Sequence, residues 1–158
     1  MRSHSVAPCP ACTGAWRRSS WPRSPPANAR AYITGTLPAR LDSVYGAIRA
    51  GAPSARVVVL GYPRLFSTAG CLGTTGISAT ERAELNSTAD LLRDVTRGRA
   101  QAAGFTFADP IAPFSGHAIC SSGVWLNGLN IFNRTESFHP NRSGHGAGYA
   151  PLLRSVIG

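Results

Sequence analysis

Lysine is absent from these 158 residues: all 16 basic side chains are arginine, set against only 7 acids. An arginine-only basic set reflects the codon usage of a GC-rich genome more than selection for phosphate contacts. Charged residues reach just 15%, well under the usual quarter, while hydrophobic ones stand at 43%, which excludes disorder of the whole chain. Long apolar runs are missing too. The longest, Val57 to Leu60, falls far short of the roughly 20 residues that span a bilayer, so stable membrane insertion is excluded. Nor is Arg2 followed by the roughly 7 to 15 apolar residues of a secretory leader, and no signal peptide is read here.

The formal net charge of +9 is lopsided. Residues 1 to 30 hold five arginines and no acid, whereas residues 31 to 158 hold 11 arginines against 7 acids, or +4. No basic stripe alternates with aromatics as a base-stacking platform would require, so no nucleic-acid partner is expected. The length suits a single domain.

Two segments differ in character. Residues 1 to 28 mix Pro, Ser, Arg, Cys and Trp with neither a helical nor a strand period, and read as unstructured or aberrant. Within them Cys9-Pro10-Ala11-Cys12 has metal or redox spacing, but no second ligand pair lies near and no βα unit surrounds it, so neither a metal nor a cofactor is expected. From about residue 29 the chain is orderly. Leu37, Leu41, Val44, Tyr45 and Ile48 recur at helical spacing, with Thr34 or Thr36 as N-cap and Gly51 as the stop. Arg56 to Pro63 reads as a strand apolar on both faces, the pattern of a parallel strand covered by helices on each side. Ser78-Ala79-Thr80-Glu81 is a capping box opening a second helix with a buried stripe of Leu85, Ala89, Leu92 and Val95, ended by Gly104. Phe105 to Ala108 is the next strand, Asp109 to Asn130 a long loop, and Ser143 to Ile157 a closing helix with Tyr149, Leu152, Leu153 and Val156 inward. That order indicates an α/β layered fold. Two strands make a thin sheet.

Chemistry concentrates at Glu136-Ser137-Phe138-His139-Pro140-Asn141. A histidine before proline is held extended or in a turn at a loop-to-helix junction, which can present its imidazole to a cleft above a sheet. An acid three residues earlier can take the Nδ1 proton and leave Nε2 as a general base, and with a serine nucleophile this makes the acyl-transfer triad. Cys71 follows the first strand and Cys120 lies in the long loop; a bridge between them, worth about 4 kcal/mol for a loop of that size, and two free buried thiols are both open.

The runs Val57 to Phe66, Phe114-Ser115-Gly116-His117-Ala118-Ile119-Cys120, Trp125-Leu126-Asn127-Gly128-Leu129, and Ser137-Phe138-His139-Pro140-Asn141 with Ser143-Gly144-His145 resemble the C-terminal half of SGNH hydrolases. More narrowly, they are similar to the secreted GDSL-type lipases and esterases of high-GC bacteria. The resemblance covers residues 29 to 158. It implies a three-layer α/β/α, flavodoxin-like fold without its N-terminal strands, a secreted protein, and hydrolysis of small-molecule or lipid carboxylic esters. It further implies that His139 is the catalytic base, oriented by Glu136 or by main chain near Ser137, and that Cys71 and Cys120 form a disulfide. His117, in the family-like F-x-G-H segment, and Trp125 are candidate cleft-lining, substrate-binding residues; a backbone-bonded loop histidine and a hydrophobic plug are the alternatives.

The family's G-D-S nucleophile motif and its G-x-N-D oxyanion motif do not occur in this sequence. The resemblance also stops where the composition changes, which predicts a truncated or frameshifted reading of a longer hydrolase gene. The expectation is therefore a chain inactive by itself. The alternative is a non-catalytic ligand-binding module on the same scaffold.

Overall fold

The computed structural model describes residues 25–68, 77–130, 132 and 134–158. Two helices come first, α1 (Pro25–Gly35) and α2 (Leu37–Gly51), followed by strand β1 (Val58–Leu60), the long helix α3 (Ala79–Ala102) and strand β2 (Thr106–Ala108). A 3-10 turn (Arg134–Glu136), a π-helical segment (Gly144–Tyr149) and α4 (Ala150–Ile157) complete the order. β1 and β2 are parallel neighbours in the register Val58 to Thr106, Val59 to Phe107 and Leu60 to Ala108, joined through α3. The α/β reading of the sequence holds.

Strand alternation explains the packing. Val57, Val59, Phe105 and Phe107 share one face of the parallel pair and close over Tyr45 of α2 and Ala100 of α3. Phe105 meets Tyr45 edge to face at 5.3 Å. A second cluster, Phe66, Phe114, Ile119, Leu126 and Tyr149, sits under the long loop and ties it to the π-helical segment. An isolated parallel bridge between Phe66 and Ile119 continues the ladder beyond the strands.

Local signals worked where they were chemical. Ser78 and Glu81 form both halves of the capping box, and Gly104 takes a φ of 70° just past the end of α3, a left-handed turn that glycine adopts without a Cβ penalty.

Four expectations need correction. The stripe expected in α3 is only half-buried, and the buried positions are Asn86 and Ala100. β1 is covered unevenly: Val57, Val58 and Val59 are half-buried while Leu60 at its carboxyl end is 41% exposed, and among the described residues the strand has one neighbour. Thr36 does occupy the α2 N-cap but makes no side-chain cap bond, and Thr34 turns back into α1, its hydroxyl donating to the Arg30 carbonyl at 3.1 Å. Helix α1 has no counterpart in the sequence reading. It starts on a Pro-Pro pair suited to a first turn and is held by tertiary contact, with the Arg30 guanidinium donating to the Ser87 hydroxyl and carbonyl of α3 at 3.3 Å each.

Candidate active site

His139 stands on the returning arm of a hairpin-like loop. Leu126 and Pro140 form an isolated antiparallel bridge; the Asn127 N–H donates to the His139 carbonyl at 2.8 Å, and the Phe138 N–H to the Asn127 carbonyl at 3.0 Å. The main chain of His139 is thus fixed on both sides while its side chain is exposed.

Tyr62, two residues past the carboxyl end of β1, sets the height of this arm. Its hydroxyl donates to the Phe138 carbonyl at 2.6 Å, and its ring lies edge-on to the His139 imidazole at 6.5 Å. Burial raises the Tyr62 pKa, so the phenol stays a donor. Phe138 itself is left-handed, with φ 66°, a conformation a bulky residue accepts only where its surroundings impose it. Here the impositions are the Tyr62 bond and an aromatic contact of Phe138 with Phe66 at 6.2 Å. The imidazole therefore sits beyond the carboxyl end of a parallel strand, where open α/β sheets place their chemistry.

Glu136 ends the 3-10 turn, and its main-chain carbonyl accepts the His139 N–H at 3.2 Å. Its carboxylate is exposed. The Ser137 hydroxyl accepts the Asn130 N–H at 2.9 Å, bracing the loop across its width.

Trp125 joins the remaining pieces. Its N–H donates to the His117 carbonyl and its carbonyl accepts the Asn141 N–H, both at 2.9 Å, so His117, Trp125 and the His139 arm are backbone neighbours. The His117 ring stacks flat on the indole, 3.6 Å between centroids and 3° from parallel, and its Nδ1 lies 2.7 Å from the Gly123 carbonyl. Beneath, Phe114 meets the indole edge-on at 5.4 Å. Asn141 locks the junction: its Nδ2 donates to the Val124 carbonyl at 2.9 Å and its Oδ1 accepts the Gly144 N–H at 3.0 Å. His145 is exposed, its N–H bonded to the Asn141 carbonyl.

Tyr62 and Asn141 escaped the sequence reading as positioning residues. Asn141 had a local signal, an Asn three residues before a glycine at a helix start; Tyr62 had none, its partner being 76 residues away.

A separate cleft of about 580 Å³ opens between α3 and the 111–121 loop, walled by Arg64, Asn86, Asp90, Phe114 and Ser115 among others. None of His117, Trp125, Glu136 or His139 lines it. Among the described residues no group of three His, Cys, Asp or Glu side chains is placed to hold a metal ion, and no helix is long and apolar enough to cross a membrane. Cys71, Cys9 and Cys12 lie outside the described residues.

The chain is 47% identical over 132 residues to Lipase 1 of Streptomyces coelicolor and 46% identical over 130 residues to a lipase of Streptomyces rimosus; each match takes in 82% of this chain and 48% of the relative. The chain thus spans about half the length of these lipases. Among solved structures it superposes on an extracellular lipase from Streptomyces rimosus with a TM-score of 0.78 at 45% identity, and on a phospholipase A1 from Streptomyces albidoflavus with a TM-score of 0.79 at 44% identity. Both superpositions cover 82% of this chain and 55% of the other, which establishes the SGNH-type α/β fold. The profile of the GDSL-like lipase/acylhydrolase family matches residues 16–147, and the chain belongs to that family.

Proposed function

We propose that this chain supplies the general-base half of a secreted carboxylic-ester hydrolase, a lipase or esterase working by Ser–His acyl transfer. The observation that carries this reading is the place of His139: an exposed imidazole on a doubly fixed main chain, beyond the carboxyl end of β1. In the reaction, His139 Nε2 takes the serine proton as the hydroxyl attacks the ester carbonyl, then returns it to the leaving alcohol. The Glu136 carboxylate or main chain near Ser137 holds the Nδ1 proton. His117 and Trp125, stacked beside the same arm, form a wall for the ester's substituents. A disulfide between Cys71 and Cys120 belongs to the same reading, in keeping with an oxidising compartment outside the cell.

Neither a G-D-S nor a G-x-N-D motif occurs in the 158 residues, and in this reading a second segment contributes the nucleophile and oxyanion donors. The 158-residue chain alone should not turn over p-nitrophenyl esters. Mixing it with the portion of the Streptomyces rimosus lipase that it does not match should generate turnover, and His139→Ala should abolish that. Turnover by the chain alone, lost in His139→Ala, would overturn its dependence on a second segment. Complemented activity that survives His139→Ala would remove His139 from the mechanism.

A further inference from the structure

The main chain leaving β1 is pinned before it reaches Tyr62. The Gly61 N–H donates to the Ala108 carbonyl at 2.9 Å, which carries the parallel pairing one residue past the strand. The Gly61 carbonyl accepts the Tyr149 hydroxyl at 3.2 Å, from a residue 88 positions away in the π-helical segment. No side chain fits between these bonds: a Cβ on Gly61 would come 2.7 Å from the Phe107 ring and 2.9 Å from Pro110 Cδ. Pro63, on the other side of Tyr62, is fully buried. Tyr62 is thus the middle of a fixed tripeptide, and its own hydroxyl reaches the carbonyl of Phe138, the residue before His139, at 2.6 Å.

Tyr149 is buried, and its ring is held apart from its hydroxyl, packed on Phe114 at 4.9 Å between centroids in the cluster under the long loop. A buried phenol needs a partner for its O–H, and the one it has is the β1 exit. Burial and the nearby Tyr62 phenol raise the Tyr149 pKa, and burial raises that of Tyr62, so both hydroxyls remain donors. We infer that Tyr149 is a positioning residue for the proposed base: its hydroxyl holds the Gly61 carbonyl, Gly61 aims Tyr62, and Tyr62 holds the arm that carries His139. This linkage deepens the ester-hydrolase reading, on which it rests. Two phenols, one after β1 and one before α4, act in series on a single imidazole. A bond that only stabilised the fold would act alike with or without the Tyr62 hydroxyl. A bond in series with it cannot, because once Tyr62 releases the Phe138 carbonyl, movement of Gly61 no longer reaches His139.

The test is a double-substitution cycle of Y62F and Y149F, each of which removes a hydroxyl and keeps the ring. In the chain complemented by the unmatched portion of the Streptomyces rimosus lipase, Y149F should lower kcat about three- to tenfold with KM within about twofold of the parent. In the Y62F background it should lower kcat no further, although the thermal midpoint should fall in both backgrounds. A100G loosens the separate cluster around Tyr45; it should lower the thermal midpoint and leave kcat unchanged. An unchanged kcat in Y149F, an equal fall in both backgrounds, or a matching fall in A100G would overturn the positioning role. The imidazole is also read without turnover, from its Cε1 proton–carbon NMR signal in the uncomplemented 158-residue chain. That signal should move on Y149F in the parent and stay in place on Y149F in the Y62F background. A His139 signal that Y149F leaves in place would overturn the positioning role even where complemented turnover is found. Absence of turnover in the complemented parent, with the signal moving as expected, would instead overturn the hydrolase reading and leave the linkage between Tyr149 and His139 standing.

Discussion

The position of one imidazole rests on the conformation of the residue before it. Phe138 is held left-handed at φ 66°, and the Tyr62 hydroxyl fixes its carbonyl at 2.6 Å. Tyr62→Phe removes one hydrogen bond while keeping the ring, so it should lower stability by about 1 kcal/mol, read as a fall in the thermal midpoint. In the complemented enzyme it should lower kcat more than it changes KM, because the proposed base swings while Trp125, the proposed substrate wall, stays in place; equal kcat for parent and variant would show that Tyr62 does not position His139. His139 and Pro140 were legible in the sequence because their chemistry is local: a histidine before proline at a loop-to-helix junction. Tyr62 was not, since its partner is 76 residues distant. The motif of the proposed base shows in the sequence and its support does not.

Elements were legible where a side chain writes a boundary. Ser78 and Glu81 announce α3, and both reciprocal bonds form. Helix α1 lacks any such mark and exists through its contact with α3, which no local pattern encodes. The closing helix was legible as a span, but six of its residues, Gly144–Tyr149, wind as π-helix. Within this segment the packing is uneven: a Cβ on Gly148 would come within 2.5 Å of the Phe114 ring, while one on Gly146 would meet nothing within 4 Å. Gly148→Ala should therefore destabilise by about 1–3 kcal/mol, whereas Gly146→Ala should be neutral or mildly stabilising, and paired denaturant melts separate the two.

At the other helix the pH response follows from the cap. The Ser78 N–H and hydroxyl each donate to the Glu81 carboxylate at 2.7 Å and hold its pKa below the ordinary 4.5. A carboxyl lowered in the folded state contributes stability that is complete above its unfolded pKa and drains away as pH falls through the folded one. The difference in thermal midpoint between the parent and Glu81→Gln should thus be fullest above pH 4.5 and narrow on further acidification; a constant difference would mean that the carboxylate's charge plays no part.

For the whole molecule, exposed apolar surface collects where the fold meets nothing. Val44 and Ile48, one turn apart on α2, are 53% and 37% exposed, and Leu60 of β1 is 41% exposed. The chain spans about half the length of the lipases it matches. Adding the unmatched portion of the Streptomyces rimosus lipase should raise the thermal midpoint in a concentration-dependent way, since anything that binds only the folded state stabilises it by mass action; an unmoved midpoint at saturating partner would mean that these surfaces are not its seat. The α/β class was legible from element order, whereas the thinness of the sheet's cover followed from what stands beside β1, which the sequence of β1 does not state.

Asn86 gives the same sheet a different boundary. Its Oδ1 accepts the Phe66 N–H at 3.1 Å and its Nδ2 donates to the Phe66 carbonyl at 2.8 Å, while the flanking Leu65 carbonyl and Ser67 N–H pair with Ile119. One buried amide therefore occupies the outer hydrogen-bonding side of Phe66 as a neighbouring strand would. Val58 and Leu60, whose main-chain groups point away from β2 in the parallel register, have no such stopper among the described residues. The open edge is in consequence one-sided: a further strand could pair at Val58 and Leu60 but would find its place at Phe66 already taken.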